Sequence, residues 1–158
     1  MSNELQITYI EYSMGTKSID IFTIGCDANP RCKGCCNPQT WDWNQKGQTV
    51  TETLKRVYEL NERFDSLIDK FIIVGGDPVD GYIKYPNDVT KLLRELGLLG
   101  KPIYLFTRHE LDEIPDELKN LVQYIKTGAY IPELTCDDNI CEGIKLATSN
   151  QKIYKMGE

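Results

Sequence analysis

Apolar and polar positions alternate over Leu5–Tyr12 and again over Ser18–Ile24, so these segments read as two antiparallel strands turning at Met14-Gly15. The period changes at Thr49. Thr49-Val-Thr-Glu52 has the capping-box pattern, and Leu54, Val57, Tyr58, Leu60 and Phe64 recur at helical spacing, which predicts a helix over Val50–Phe64. Phe71-Ile-Ile-Val74 is a short apolar run bounded by Gly75-Gly76 and reads as a buried strand. A second helix is expected over Asn87–Leu96, stopped at Gly97 or Gly100. Pro102–Phe106 reads as a strand, Pro115–Leu121 as a short helix with Asp116 and Glu117 in its first turn, and Val122–Lys126 as a further strand. Strands alternating with helices imply right-handed βαβ units, hence an α/β fold with a mostly parallel sheet. Ligands bind beyond the carboxyl ends of such strands. Three segments with polar or sulfur chemistry follow strand ends: the loop after Ile24, Gly75-Gly76-Asp77 and Thr107-Arg108-His109.

The first of these loops carries four of the six cysteines, Cys26, Cys32, Cys35 and Cys36. Thiolates gathered on a loop broken by glycine and proline read as ligands for zinc or an iron–sulfur cluster. Cys35 and Cys36 are adjacent, and neighbouring residues rarely aim both side chains at one metal. Three spaced thiolates remain, one short of a closed tetrahedral zinc site or a fully ligated cubane. A zinc site would need Cys136 or Cys141 as a fourth ligand; a cluster on three thiolates keeps one iron open. Spacing alone leaves both readings standing. His109 is the only histidine, so any metal chemistry must rest on thiolates.

The residues that follow narrow the choice. Cys32-x2-Cys35, then Asn37-Pro-x-Thr-Trp-Asp42, resembles the radical S-adenosylmethionine (SAM) enzymes that activate glycyl radical enzymes, above all the small activase of anaerobic ribonucleotide reductase. Val74-Gly-Gly-Asp-Pro78 is similar to that family's Gly-Gly-Glu/Asp-Pro segment, Lys126–Leu134 to its strand-end Asp-Gly-x-(aromatic)-Ile-x-Glu-Leu, and Thr148-Ser-Asn-Gln151 to its Ser-Ser-Asn-Gln. The order of the segments agrees from about Asp20 to the C-terminus. Two departures stand out. The usual Cys-x3-Cys-x2-Cys becomes Cys-x5-Cys-x2-Cys, which makes the loop from Asp27 to Arg31 bulge outward, and Lys126-Thr127 replaces a hydrophobic residue and Asp.

The resemblance implies a short, open partial (β/α) barrel of radical SAM type, with a [4Fe–4S] cluster on Cys26, Cys32 and Cys35. It implies SAM as cosubstrate, its amino group held at Gly75, Gly76 and Asp77, with Asn37 and Thr107 lining the pocket. Cys36 becomes a packing residue, Trp41 and Trp43 cover the cluster and fix its loop, and Ser149, Asn150 and Gln151 carry little weight. The implied partners are a glycyl radical reductase subunit and an external electron donor such as flavodoxin; a homodimer is also allowed. Two other classes stay open: a radical SAM enzyme acting on a small molecule, and a non-catalytic iron–sulfur or zinc interaction module.

Composition bounds the rest. At 158 residues one domain is expected over the whole chain, large enough to bury roughly 70% of its unfolded surface. Net charge is −6 with the two signs interspersed, so no basic stripe favours nucleic acid. No apolar run is long enough for a bilayer, and the tight cysteine cluster fits a reducing compartment, so a cytoplasmic protein is expected.

Overall fold

The computed structural model describes residues 3–28 and 38–157. A six-stranded sheet organises it. Strands β1 (Ile7–Ser13), β2 (Ser18–Thr23), β3 (Lys70–Gly75), β4 (Ile103–Phe106), β5 (Tyr124–Thr127) and β8 (Lys152–Lys155) lie in that spatial order. β2 to β5 are parallel, and antiparallel strands close both edges, β1 against β2 and β8 against β5. The remaining strands, β6 (Ile140–Cys141) and β7 (Ile144–Lys145), form a small hairpin.

Four helices connect the parallel strands: α1 (Val50–Phe64), α2 (Pro78–Lys84), α3 (Pro86–Gly97) and α4 (Asp116–Lys119). α1 begins where its capping box predicts: Glu52 N–H donates to Thr49 Oγ1 at 3.1 Å and Thr49 N–H to Glu52 Oε1 at 3.1 Å. Leu54 and Val57 of α1, Val79 of α2, Leu92, Leu93 and Leu96 of α3 and Leu118 of α4 join Ile19, Ile21, Phe71, Ile73, Ile103 and Leu105 of the strands in one core. All four helices therefore cover a single face of the sheet. Neighbouring strands that follow one another in sequence, with every crossover on one side, curl as a barrel does rather than forming a doubly wound sheet. The fold is α/β, mostly parallel and open, as the alternation of elements predicts.

The second face carries the other half of each strand, since side chains alternate with period two. Ile72, Tyr104, Ile144 and Leu146 form a smaller cluster there, joined by Val74, Phe106, Tyr124 and Ile153. The β6–β7 hairpin covers this face over β3 to β5. Toward β1 and β2 the face ends on Tyr9 stacked against Phe22, ring centroids 4.4 Å apart. Among the described residues, no helix is long and apolar enough to cross a membrane.

Candidate functional site

At their carboxyl ends β2 and β3 are joined beyond the last ladder pair, Thr23 with Gly75. Gly76 N–H donates to Thr23 O at 2.9 Å and Asp77 N–H to Gly25 O at 2.7 Å. The two chains run so close that a Cβ on Gly76 would stand 2.6 Å from the Gly25 carbonyl carbon. Gly25 has φ +111°, and the Trp43 ring fills the place its Cβ would take. Cys26 follows at once, buried, with its N–H on Trp41 O at 3.3 Å. It lines a cleft of about 260 Å³ together with Gly75, Gly76, Thr107, Arg108 and Lys126. These residues come from the carboxyl ends of β2, β3, β4 and β5. Of the predicted site, Cys26, Gly75, Gly76, Asp77 and Thr107 are thus brought to one cleft; Cys32, Cys35, Cys36 and Asn37 lie outside the described residues.

Two of the residues expected at the ligand, Asp77 and Thr107, carry protein hydrogen bonds of their own. The motif assigns Asp77 to a ligand ammonium, but its carboxylate is 2% exposed and both oxygens already take protein donors. Oδ1 accepts from Val79 N–H at 3.0 Å and Thr107 Oγ1 at 2.7 Å, and Oδ2 from Arg108 N–H at 3.1 Å. Asp77 is the N-cap of α2, with Pro78 in the first turn. Thr107 lines the cleft as expected, and its hydroxyl donates to Asp77 and accepts from His109 N–H at 3.1 Å. Both side chains hold the β3 and β4 ends together at the cleft wall.

Asp80 carries no site signal in the sequence, whereas Arg108 and His109 belong to the strand-end segment already singled out. Arg108 Nη2 donates to Asp80 Oδ2 at 2.9 Å, and His109 Nε2 lies 2.8 Å from Asp80 Oδ1. Asp80 Oδ2 also accepts from Asp27 N–H at 2.9 Å, which pins the start of the cysteine loop to α2. Metal-binding atoms of Asp77, Asp80 and His109 lie within 4.8 Å of one another. Their oxygens and ring nitrogens are taken up by one another and by Asp27, Val79, Thr107, Arg108 and Glu113, so the group is an ion-pair network rather than a cation site. A carboxylate three residues after the N-cap, on the buried side of a short helix, is the one pattern that points toward it.

Trp43 completes the loop's support. Its Nε1 donates to Asp27 Oδ1 at 2.7 Å, its ring covers Gly25, and Lys84 Nζ stands 4.8 Å from the ring centroid. The residues on both sides of Cys26 are therefore held by one indole. On the far wall, Gln151 donates to Gly128 O at 3.2 Å and accepts from the N–H groups of Ala147 and Thr148. Asn150 donates to Ala129 O at 3.0 Å. The Thr148–Gln151 segment thus braces the turn after β5. Cys141 Sγ donates to Asn139 Oδ1 at 3.6 Å, and both Cys136 and Cys141 sit half-buried on the hairpin side.

The charges set a pH dependence. His109 is held above its ordinary value, chiefly by the bond to Asp80 and against its burial. Burial works to raise Asp80, but the bonds from His109 and Asp27 and the charge of Arg108 outweigh it, and Asp80 lies below the ordinary carboxylate value. A raised imidazole contributes stability in full below its unfolded value, about 6.5, and loses it as pH rises through the folded one. A depressed carboxylate contributes above about 3.9 and loses it as pH falls. His109→Gln should therefore destabilise the protein most between about pH 4 and 6.5, with the gap from the parent narrowing toward pH 9. Urea unfolding across that range measures it, and a gap independent of pH would show that the imidazole carries no charge in the fold.

Among the described residues one predicted ligand, Cys26, is placed as a cluster thiolate would need to be. Cys26 offers a buried sulfur at the cleft, on backbone held from both sides, and Arg108 Nε is a buried donor with no hydrogen-bond partner among the described residues. Residues 14–152 match the family model described as a 4Fe-4S single cluster domain. The chain belongs to that family. Among solved structures this family member is similar to Streptococcus suis SuiB, at 18% identity and a TM-score of 0.44, over 65% of this chain. It spans 21% of that protein's length. No curated relative matches it.

Proposed function

We propose that this 4Fe-4S domain is a radical SAM activase that generates a glycyl radical on an anaerobic ribonucleotide reductase. The observation that carries the reading is the cleft at the carboxyl ends of β2 to β5, with Cys26 on its wall and the Gly75-Gly76 turn beside it. Cys26, Cys32 and Cys35 would hold a [4Fe–4S] cluster with one iron left open. When bound, that cluster supplies the electron that cleaves SAM to methionine and a 5′-deoxyadenosyl radical. Gly75 and Gly76 let SAM approach the backbone, where carbonyl groups accept from its ammonium, because glycine leaves no side chain in the way. Phe106 and Leu146 give the cleft apolar walls that exclude water from a reactive radical. A single helical layer and a hairpin that covers only part of the second face leave room for a segment of the reductase. An electron donor of flavodoxin type completes the reaction.

Anaerobic reconstitution tests this directly. One cluster per chain is expected, with the electron paramagnetic resonance signal of the reduced state altered by SAM. Mixing with reductase, SAM and reductant should then yield an organic radical on a glycine of the reductase. Stoichiometric zinc without iron would make the chain an interaction module. SAM cleavage stimulated by a small molecule, with no radical on the reductase, would make it an enzyme of small substrates.

A further inference from the structure

Lys126 and Lys145 take no part in the function proposed above. Lys126 stands in β5 beside Phe106 of β4 and Ile153 of β8, both in the apolar cluster of the second face, and alternation puts its side chain on that face too. A lysine stem lies readily along such a surface while its ammonium group reaches a polar end. Here the head leans toward β4: Nζ stands 5.7 Å from the Phe106 ring centroid and donates to Gly128 O at 3.3 Å. Lys126 thus lines the cleft together with the Gly75-Gly76 turn. Lys145 of the β6–β7 hairpin lines it as well, with its side chain 60% exposed and its ammonium 3.5 Å from Asp137 Oδ1. An ion pair so open to water is worth little.

The charges of the cleft wall do not balance. Its one carboxylate among the described residues, Asp77, is matched by Arg108, which also holds Asp80 at 2.9 Å. The two lysines then tip the wall toward positive charge. The chain as a whole has a net charge of −6, so a cationic cleft is a local feature and not a consequence of composition. The apolar walls at Phe106 and Leu146 strengthen the field of a charge beside them. We propose that Lys126, assisted by Lys145, is the residue by which the cleft takes a carboxylate group. The inference rests on the SAM-dependent function proposed above. A lysine ammonium is a point charge that suits a carboxylate, whereas the planar fork that would grip a phosphate belongs to Arg108 and is turned into Asp80. That reaction brings two carboxylates to the cleft: the amino-acid end of SAM, and an acidic side chain on the entering segment of the reductase. The same charge recognises either. Lys126 stands where the family it resembles has a hydrophobic residue, so the preference is this chain's own.

Binding of SAM and of decarboxylated SAM separates the two sources. Protein reconstituted anaerobically is counted for iron, kept oxidised so that no turnover occurs, and dialysed to equilibrium against each compound. Lys126→Met keeps the stem beside Phe106 and removes the charge; Lys126→Arg keeps the charge. With SAM as the source, Lys126→Met should bind SAM about tenfold more weakly and decarboxylated SAM as well as the parent does. Lys126→Arg should lose less, and Lys145→Met should show a smaller loss that is again confined to SAM. With the reductase as the source, Lys126→Met should keep both affinities, while its binding to the reductase, followed by surface plasmon resonance without SAM, falls about tenfold. Unmoved binding of both SAM and the reductase in Lys126→Met overturns the proposal. Equal weakening of SAM and decarboxylated SAM overturns it too, because Lys126 would then support only the shape of the cleft. Where Lys126→Met fails to fold by circular dichroism, the exposed Lys145→Met decides, and parent-like binding in it overturns the proposal. A parent that takes up iron yet binds no SAM defeats the SAM-dependent function itself, before any variant is compared.

Discussion

Single replacements of Cys26, Cys32 and Cys35 by Ala are each expected to abolish the cluster, taking iron from about four per chain to background and SAM cleavage to nothing. Two thiolates do not hold a cubane stably, so the loss is all or none rather than graded. Cys36→Ala should behave differently. Cys35 and Cys36 are adjacent and compete for the third place, and the Asn37-Pro-x-Thr-Trp-Asp42 register assigns it to Cys35. Cys36→Ala is therefore expected to keep its iron and at least part of its activity. Iron analysis with sulfide determination reads all four variants side by side. Loss in Cys36→Ala with retention in Cys35→Ala would shift the register by one residue. A requirement for all four would close the open iron and remove the case for SAM cleavage. Among these four, Cys26 is the position whose surroundings are described, buried on the cleft wall.

How much of this is legible in the chain follows from how local each cause is. α1 runs from Val50 to Phe64 as expected, because its cap and its apolar stripe are both encoded within sixteen residues. β2 to β5 sit where apolar runs place them, within a residue or two. α2 escapes such a reading. Asp77-Pro78 is good turn chemistry, yet Asp at the N-cap and Pro at the first helical position are equally a helix start, and seven residues give too few turns for a periodic signal. Without α2, Asp80 stays hidden, because its partners Asp27, Arg108 and His109 come from β2 and β4 loops far along the chain. A network assembled from one short helix and two distant loops has no local pattern to read. The same holds for the bonds of Asp77: its motif is local, but its carboxylate's partners Thr107 and Arg108 come from the end of β4, thirty residues on. β6 and β7 are two residues each, too short for alternation to register.

Gly76→Ala should be among the most damaging changes outside the cysteines. The added methyl would stand 2.6 Å from the Gly25 carbonyl carbon and 2.8 Å from the Gly25 nitrogen, and both are backbone atoms that cannot rotate aside. Relief requires moving the end of β3 away from the end of β2, which breaks the Gly76 N–H bond to Thr23 and the Asp77 N–H bond to Gly25. Overpacking of this kind costs about 1–3 kcal/mol, and two lost backbone bonds add about 1 kcal/mol each. A destabilisation of roughly 3–5 kcal/mol is expected, enough to leave a domain of ordinary stability partly unfolded. The same displacement carries Cys26 with it, so iron uptake should fall even in whatever fraction stays folded. Gly97→Ala supplies the contrast. Gly97 ends α3, and a Cβ added there would meet nothing within 4 Å, so alanine should be neutral or stabilise by about 0.5–1 kcal/mol. Urea unfolding with iron determination on both variants decides the matter. If Gly76→Ala unfolds no more easily than Gly97→Ala, then the two strand ends do not meet as described, and the cleft built on their contact has no foundation.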